Sequence, residues 1–422
     1  MRLLLGGRLV RAVLSAGLLA GPGAAASAAP AATPASWSDR GVEVLRRAAT
    51  RACSASEALV ETETPPAGRD PQTPAARLRD VLETGCAFRP ETVERPADAA
   101  PASGASAGIR EALAVAASDG TLLARQRLGT VGGVSLDLVA YASAGLAVGG
   151  VACYVDDGAK RPGVVHVHGG LSGLFDPSDG GTIQACVDWA GLHGRTAFVP
   201  SLRGLDGSEG KIEICLGEAG DVAAAAAYLR SMPATDASRI ALVGGSVGGC
   251  VVLKAAPLVP NLRAVVAYVP PTDWKSLVQY HRMAWKPATE TRCDGSTYAW
   301  NIGGPALADV FDGFICGHPG CTDSDYAVRS PIPGVLTQSA PTLIESAESD
   351  NVVPLAQEVL WSILRQSLGK PVDVFSVSAC DPPGNPPNHM DVHIFVPGGF
   401  HLLAPGPISS GLLFVINQLD RP

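Results

Sequence analysis

One serine carries the strongest chemical signal in the sequence, because glycines surround it in the run Gly244-Gly245-Ser246-Val247-Gly248-Gly249. The run follows an apolar segment, residues 240–243, and opens a stretch of helical composition, so we expect a sharp turn from a strand into a helix. Such a turn crowds the backbone, and glycines on both sides of the serine remove Cβ atoms that would clash. The turn would lift the Ser246 hydroxyl above the sheet edge, where it can attack a carbonyl group.

A glycine-rich turn can also bind phosphate instead of carrying a nucleophile. This run lacks the G-x-G-x-x-G spacing of dinucleotide-binding loops and the Lys-Ser/Thr ending of nucleotide-binding loops. Free N–H groups at the start of the following helix would instead stabilise an oxyanion on the substrate. A second source of such N–H groups is expected at His168-Gly169-Gly170, after an earlier apolar run, where an ordinary glycine turn is the alternative.

A serine nucleophile needs a general base, and His401 is the best candidate. It follows the last predicted strand in the run Val396-Pro397-Gly398-Gly399-Phe400-His401. Two rival histidines are close in sequence. His393 lies inside an extended run, where its ring would point sideways from the sheet, and His389 lies in a loop rich in Pro and Asn. A surface histidine on a glycine-rich loop is the alternative interpretation of His401.

The base needs an acid to orient it, and Asp350 lies where a strand is expected to turn into a helix. The order serine, acid, histidine along the chain is typical of this kind of sheet. Glu348 is the second candidate for the acid and Glu345 is the third. Alternatively, Asp350 is only a turn residue or a charge at the start of a helix, where Asp is common.

Metal ligation is the rival interpretation of two other patterns. His166 and His168 alternate along one predicted strand and would share a sheet face, but no third ligand cluster is near them in sequence. The run Cys316-Gly317-His318-Pro319-Gly320-Cys321 holds one cysteine pair without the second matched pair of a zinc site. The sequence therefore predicts neither a metal nor another cofactor.

The sequence pattern changes at about residue 120, and this change indicates which elements must position these residues. From there onward, short apolar runs alternate with helical stretches, which is typical of parallel strands covered by helices on both faces. We expect a doubly wound, mostly parallel α/β sheet within residues 109–422. An aromatic-rich, cap-like insertion is expected at about 274–338. Its aromatic side chains would either bind an apolar acyl or aryl group or form a small core of their own.

The N-terminal part is expected to fall into two pieces. Residues 1–28 have the features of a signal peptide, with arginines at the start, a short apolar stretch and small residues before the cleavage site. That stretch is too short to span a bilayer, so we expect a secreted or periplasmic protein without an integral membrane span. Residues 29–108 are expected to form a helical hairpin, with helices at about 38–60 and 74–85, and a linker.

Composition restricts the partners. The chain has 422 residues, of which 46% are hydrophobic and 17% charged, and its formal net charge is −8. No Lys/Arg run or basic aromatic strip is present, which excludes the usual electrostatic footprint of a nucleic-acid-binding protein. We therefore expect a small-molecule ester or short peptide as the substrate, and the sequence leaves the oligomeric state open.

The ten cysteines all lie beyond the expected signal peptide, and an even count in an exported chain indicates disulfides. Pairing of Cys53 with Cys86 is expected, because both lie in a small N-terminal region. Weaker expectations are Cys186 with Cys215, and Cys293 with either Cys316 or Cys321. Cys250 follows the proposed nucleophile on a buried helix and is expected to be a free core thiol.

Several segments together carry a family resemblance. They are Val165 to Gly170, Phe198 to Gly204 with Gly207 to Gly210, Asp221-Val222, Asp236 to Gly249, Asp350 to Pro354 and the final Gly-x-His stretch. In this order they resemble the catalytic domain of the prolyl oligopeptidase family and the related esterases similar to dienelactone hydrolase. The resemblance covers roughly residues 120–422 and implies an α/β-hydrolase fold.

The resemblance also implies roles for individual residues. Ser246 would be the nucleophile, Asp350 the acid and His401 the base. Backbone groups of Gly170 and Val247 would hold the oxyanion. Val247 departs from the family pattern, because many members carry Tyr or Met at this position.

A second departure bears on the substrate. Peptidases of this family usually carry a β-propeller before the catalytic domain, whereas here the helical region 29–108 precedes it. The propeller supplies the size filter that makes those enzymes peptidases, so we expect a secreted serine hydrolase that cleaves esters through an acyl-enzyme. The alternative within enzymes is an exopeptidase or amidase. The alternative outside enzymes is a non-catalytic binding protein on the same fold.

Overall fold

The computed structural model describes residues 36–62, 78, 80–82, 87–95, 119–175, 181–291, 297–300, 303–347, 350–369, 372–377 and 410–421. The strands are β1 (Leu122–Val131), β2 (Val134–Ser143), β3 (Leu146–Tyr154), β4 (Arg161–Val167), β5 (Thr196–Pro200), β6 (Thr235–Gly245), β7 (Leu262–Tyr268), β8 (Ala288–Thr291), β9 (Thr297–Trp300), β10 (Thr342–Ser346) and β11 (Val372–Val377).

The helices are α1 (Trp37–Thr62), α2 (Thr182–Gly191), α3 (Glu218–Ser231), α4 (Val247–Ala255), α5 (Trp274–Met283), α6 (Gly304–Ile315), α7 (Asp323–Ala327), α8 (Ala356–Ser367) and α9 (Ser410–Asp420). Short 3₁₀ turns lie at Pro90–Thr92, Ala256–Leu258 and Ile332–Leu336.

Within the described residues the main sheet has nine strands, in the order β1-β2-β3-β5-β4-β6-β7-β10-β11. Strands β1, β2, β3 and β5 pair antiparallel in succession, whereas β5, β4, β6, β7, β10 and β11 run parallel. The order reverses at β4, because β5 lies on one side of it and β6 on the other. This topology confirms the predicted doubly wound, mostly parallel sheet of the α/β-hydrolase fold. In such sheets ligands bind beyond the carboxyl ends of the strands at the point of reversal.

The central strands separate two hydrophobic cores, one on each face of the sheet. Along β6, Ile240 and Leu242 belong to one core, and Ala241 and Val243 belong to the other. The first core contains buried residues of α3, α4 and the insertion, and the second contains those of α1, α2 and α9. Because both faces are covered there, residues 240–243 of β6 are all apolar, instead of apolar at alternate positions only.

Helix α1 confirms the first predicted N-terminal helix, and it packs directly on β1, β2 and β3. A Cβ atom added to Gly41 would lie 2.6 Å from the Cβ of Leu123, so only glycine permits this close approach of helix to strand. Of the second predicted helix, at 74–85, the structure describes residues 78 and 80–82, which are helical.

The insertion at 274–338 is more regular than its sequence suggested. It holds α5, the β8–β9 hairpin, α6 and α7. Trp274 is fully buried and packs edge-on against Phe311, with ring centroids 5.2 Å apart. Asp312 is also fully buried and accepts hydrogen bonds from Tyr326 and Arg282. Trp274 and Phe311 therefore belong to the first core, which the insertion shares with α3 and α4, and not to a small core of the insertion's own.

The disulfides differ from those expected. Cys153 in β3 pairs with Cys186 in α2, and Cys215 pairs with Cys250 in α4. Predicting Cys250 as a free thiol and Cys186 as the partner of Cys215 was therefore wrong. The physical reason is that Cys186 and Cys215 belong to cores on opposite faces of the sheet, so the sheet keeps them apart.

The third disulfide joins Cys316 to Cys321. The predicted bond from Cys293 to either of them was therefore wrong, and the two sulfurs are not free to bind zinc as thiolates. The short loop after α6 brings them together, with a Cα–Cα distance of 5.7 Å. The expected Cys53–Cys86 bond involves Cys86, which lies outside the described residues.

Candidate active site

Ser246 lies in the turn between β6 and α4 and has backbone angles φ 51° and ψ −121°. A non-glycine residue in this region costs about 1–3 kcal/mol, so neighbouring structure must hold it there. One such restraint is the hydrogen bond from the Ser246 backbone N–H to the carbonyl of Tyr268 in β7, at 2.8 Å. The turn thus presents one serine at the carboxyl edge of the sheet.

Glycines around Ser246 are required by close backbone contacts. A Cβ atom on Gly244 would lie 2.4 Å from the carbonyl oxygen of Gly248. A Cβ atom on Gly248 would lie 2.3 Å from the carbonyl oxygen of His168. Cβ atoms never approach other atoms this closely in stable structures. The second contact also shows that the loop after β4 lies directly against the first turn of α4.

This loop, residues 168–175, is called the β4 loop below. Val167 of β4 is level with Gly244 of β6, so the β4 loop and the Ser246 turn leave the sheet side by side. Gly170 has φ +66°, a conformation that favours glycine. Val247 is the first residue of α4, where a backbone N–H has no acceptor within the helix. The two groups predicted to hold an oxyanion therefore belong to adjacent segments.

Asp206 anchors the β4 loop, a function that the sequence patterns did not indicate. Its side chain is buried, and Oδ2 accepts the N–H of Leu174 at 2.7 Å. The loop wraps closely around it, because a Cβ atom on Gly173 would lie 2.5 Å from Oδ1. Burial raises the pKa of Asp206. In the sequence this residue precedes Gly207 and resembles an ordinary turn residue.

A second buried carboxylate supports the segment that follows β5. Asp221 is fully buried and receives two hydrogen bonds from the Arg203 guanidinium, at 3.0 and 2.9 Å. Arg203 also donates to Glu213 at 3.0 Å. The Cys215–Cys250 disulfide then joins this segment to α4, the helix that begins after Ser246. Arg203 and Asp221 belong to the family-like motifs, and their ion pair gives those motif positions a structural function.

On the other side of the Ser246 turn, the segment after β10 carries Asp350. Gly245 and Glu345 both pair with Tyr268, which lies between them in β7. Ser246 and Ser346 therefore leave the sheet at the same level, two strands apart, or roughly 10 Å at ordinary strand spacing. Asp350 follows shortly after, so the topology places it on the same edge of the sheet as the serine.

The Asp350 carboxylate is buried and organised by its own turn. Its Oδ1 accepts the backbone N–H groups of Val352 and Val353, both at 2.8 Å. Residues 350–353 are called the acid turn below. Of the two rival acids, Glu345 lies inside β10 with 6% exposure, and Glu348 lies outside the described residues.

Helix α5 of the insertion contacts the acid turn through two side chains. The Tyr280 hydroxyl donates to the carbonyl of Asn351 at 3.2 Å. Nε2 of His281 lies 2.9 Å from the carbonyl of Val352. Gln357 at the start of α8 adds a further connection, because its Nε2 donates to the Ser276 hydroxyl of α5 at 2.7 Å. The insertion therefore touches the acid side of the candidate site.

Glu358 is a buried acid that the sequence patterns missed. It is fully buried, and neither carboxyl oxygen has a hydrogen-bond partner within the part of the chain that the structure describes. Burial, together with the charge of nearby Asp350, raises the pKa of Glu358 well above its usual range. A buried carboxyl group without a hydrogen-bond partner favours its neutral form.

The candidate base His401 and its rivals His389 and His393 lie outside the described residues, so the base stays a prediction. His166 has a structural function instead. Its Nδ1 accepts the Trp189 indole N–H at 3.2 Å, and burial lowers the pKa of His166 to about 3. Across the described ranges, no group of three or more His, Cys, Asp or Glu residues is arranged to hold a metal ion.

Residues 211–301 match the model of the prolyl oligopeptidase family. This chain resembles that family. The match includes Ser246 and confirms the resemblance predicted from the motifs. No curated protein sequence matches the chain.

Similar solved structures include both peptidases and esterases. The acylaminoacyl peptidase of Pyrococcus horikoshii is 18% identical, with a TM-score of 0.45, over 63% of this chain and 40% of that one. An esterase of Pyrobaculum calidifontis is 18% identical, with a TM-score of 0.42, over 56% of this chain and 73% of that one. The acetyl xylan esterase of Paenibacillus sp. R4 is 18% identical, with a TM-score of 0.44, over 60% and 81%.

Proposed function

We propose that the protein is a serine hydrolase that cleaves ester bonds, with Ser246 as nucleophile, His401 as general base and Asp350 as the acid that orients it. The observation that carries this proposal is the strained conformation of Ser246 at the carboxyl edge of β6. A backbone held at this cost by close glycine contacts is typical of a functional turn. The match of residues 211–301 to the prolyl oligopeptidase family supports the same chemistry.

The proposed reaction is acyl transfer to water. His401 removes the Ser246 proton as Oγ attacks the ester carbonyl, and the N–H groups of Gly170 and Val247 hold the resulting oxyanion. His401 then protonates the leaving alcohol, which departs and leaves an acyl group on Ser246. Water, activated by the same histidine, releases the acid. The protein needs no metal or cofactor for these steps.

Labelling with a fluorophosphonate probe tests whether the serine is activated. We expect the full-length protein to be labelled on Ser246 and Ser246→Ala to lose labelling and about 10⁶-fold in kcat on an aryl ester. A matched control is Ser238→Ala, an exposed serine at the opposite end of the same strand, which should retain activity. Absence of labelling in the folded wild type would support a non-catalytic binding protein and contradict the proposal.

The bond that is cleaved needs a separate comparison. An exopeptidase or amidase is the second candidate, because the matching family model is one of peptidases. Comparing kcat/KM for short-chain aryl esters with that for aminoacyl anilides separates the two. We expect higher turnover of the esters. Faster turnover of anilides by the same labelled serine would assign the protein to the peptidases and leave the nucleophile unchanged.

We also infer that the protein is exported. The disulfides Cys153–Cys186, Cys215–Cys250 and Cys316–Cys321, which lie within the described residues, are compatible with an oxidising compartment. Within the described residues no helix is long and apolar enough to cross a membrane. Sequencing the amino terminus of the protein from an expressing culture should give residue 29 in the secreted or periplasmic fraction. An intact residue 1 in the cytoplasmic fraction would contradict export.

A further inference from the structure

The insertion is joined to the acid turn by neighbouring side chains of α5. Tyr280 and His281 lie next to each other in sequence, and their contacts go to the carbonyls of Asn351 and Val352, which are also neighbours. The two elements are distant in sequence, because the partners in each contact are 71 positions apart. Such a paired contact restrains both the position and the direction of the peptide groups that it reaches.

His281 is placed to act as a rigid connector. It is 1% exposed, and its Nδ1 accepts the backbone N–H of Gly304 at the start of α6. Because Nδ1 is an acceptor, the proton lies on Nε2, which donates to the carbonyl of Val352. One imidazole therefore connects two elements of the insertion to the acid turn, and a neutral ring satisfies both contacts.

The connection continues to the Asp350 carboxylate. Val352 accepts from His281 through its carbonyl and donates through its N–H to Oδ1 of Asp350. The next N–H, that of Val353, reaches the same oxygen. A shift of the Val352 peptide would therefore move the donors that orient the carboxylate. The path from the insertion to Asp350 consists of one side chain and one peptide unit.

We propose that His281, assisted by Tyr280, is a positioning residue that orients the catalytic acid Asp350 from the insertion. This inference rests on the proposed function, because it assumes that Asp350 orients the catalytic base. It assigns the insertion a function in catalysis besides any contact with substrate. Because the effect acts on the orientation of the acid, it should appear in kcat and in the pH profile rather than in KM.

The test uses His281→Ala, His281→Gln and Tyr280→Phe in the full-length protein with an aryl ester. We expect His281→Ala to lower kcat about 10- to 100-fold, the range for a misplacement near 1 Å, with little change in KM. A displaced carboxylate no longer raises the pKa of the base, so the acidic midpoint of the kcat/KM profile should move to lower pH. His281→Gln keeps an N–H donor and should recover part of kcat, and Tyr280→Phe should show a smaller loss.

Arg282→Gln provides a matched control for loss of insertion stability. Arg282 follows His281 on the same helix, but its guanidinium binds Asp309 and Asp312 inside the insertion. We expect this variant to lower Tm while the acidic midpoint stays at the wild-type pH. If Arg282→Gln and His281→Ala change kcat and the midpoint equally, His281 acts only through insertion stability, and the inference is wrong.

A double-mutant cycle with Asp350→Asn gives a second test of the inference. It can be carried out even if the His281→Ala variant is not stable. If His281 acts through the acid, Tyr280→Phe and His281→Gln should have little further effect on kcat once Asp350 is replaced. Additive losses would overturn the inference. A wild-type protein that fluorophosphonate does not label would instead contradict the proposed function, so the two failures are distinguishable.

Discussion

The two sides of the Ser246 turn are held in different ways. On one side, the β4 loop contacts α4 through backbone and is anchored by Asp206, 32 residues from the Leu174 N–H that it binds. On the other side, the acid turn is held by His281 of the insertion, 71 residues away in sequence. The proposed oxyanion side is therefore built from the central sheet and its own loops, whereas the proposed acid side depends on an element added between two strands.

Because of this difference, the two sides should differ in the substitutions that they tolerate. Backbone segments packed this closely leave no room for an added Cβ atom, so the β4 loop side should fail when a single methyl group is added. Side-chain hydrogen bonds at an insertion leave more freedom, because a neighbouring donor can replace the lost one. Variants on the oxyanion side should accordingly show large losses, and those on the insertion side graded ones.

The largest effect is expected at the acid itself. Asp350→Asn should lower kcat by about 10⁴-fold, because an amide no longer holds the histidine in the productive tautomer. Steady-state kinetics on an aryl ester measure this loss, and Glu348→Gln serves as the control that should retain activity. If Glu348→Gln loses activity and Asp350→Asn retains it, the acid is Glu348 and lies before the acid turn.

The next effect tests the backbone contact on the oxyanion side. Gly248→Ala would place a Cβ atom 2.3 Å from the His168 carbonyl, so the β4 loop and the Ser246 turn must move apart. We expect kcat to fall by about 100-fold, as for a displacement near 1 Å. The matched control is Gly313→Ala in α6, where an added Cβ meets nothing within 4 Å. If Gly248→Ala retains the wild-type kcat, the proposed oxyanion side tolerates movement as well as the insertion side does.

A smaller effect is expected from the anchor of the β4 loop. Asp206→Ala removes the acceptor of the Leu174 N–H, which should destabilise the fold by about 1–3 kcal/mol. Because the loop carries Gly170, a proposed oxyanion donor, affinity for a trifluoromethyl ketone that forms a tetrahedral adduct should fall together with kcat, while KM changes little.

The control for that variant is Asp137→Ala, which removes a buried Asp in β2 that binds Arg127 and Tyr154 instead. It should reduce stability without weakening the adduct. Equal loss of adduct affinity in both variants would mean that Asp206 contributes only to global stability, and the β4 loop would need another anchor.

The smallest effect concerns stability and pH on the acid side. The folded-state pKa of Glu358 is raised, so its contribution to stability is fully present below its unfolded pKa, about 4.3, and is lost as pH rises toward the folded value. Glu358→Gln removes this dependence. The variant should gain Tm relative to wild type at pH 8 and show little difference at pH 4.

Thermal unfolding across this pH range measures the difference, and Glu91→Gln, an exposed acid in the Pro90–Thr92 turn, provides the control. A Tm difference between Glu358→Gln and wild type that does not vary with pH would show that burial does not hold Glu358 neutral.

The sequence by itself determined the features that depend on local pattern. Apolar runs bounded by glycine and proline predicted the strands, because a strand buried on both faces must be apolar at every position. The glycines at 244 and 248 predicted the turn at Ser246, because only glycine fits such close backbone contacts. The motif order predicted the resemblance to the prolyl oligopeptidase family.

Only the tertiary structure decided the features that depend on which face or loop a residue occupies. Cys186 and Cys215 are a reasonable pair in sequence, but the sheet lies between them. Asp206, His281 and Glu358 occupy unremarkable positions in the sequence, and each is defined by partners or burial that arise only when distant segments pack. The physical reason is that local sequence specifies strands, helices and turns, whereas long-range packing determines which side chains share a buried environment.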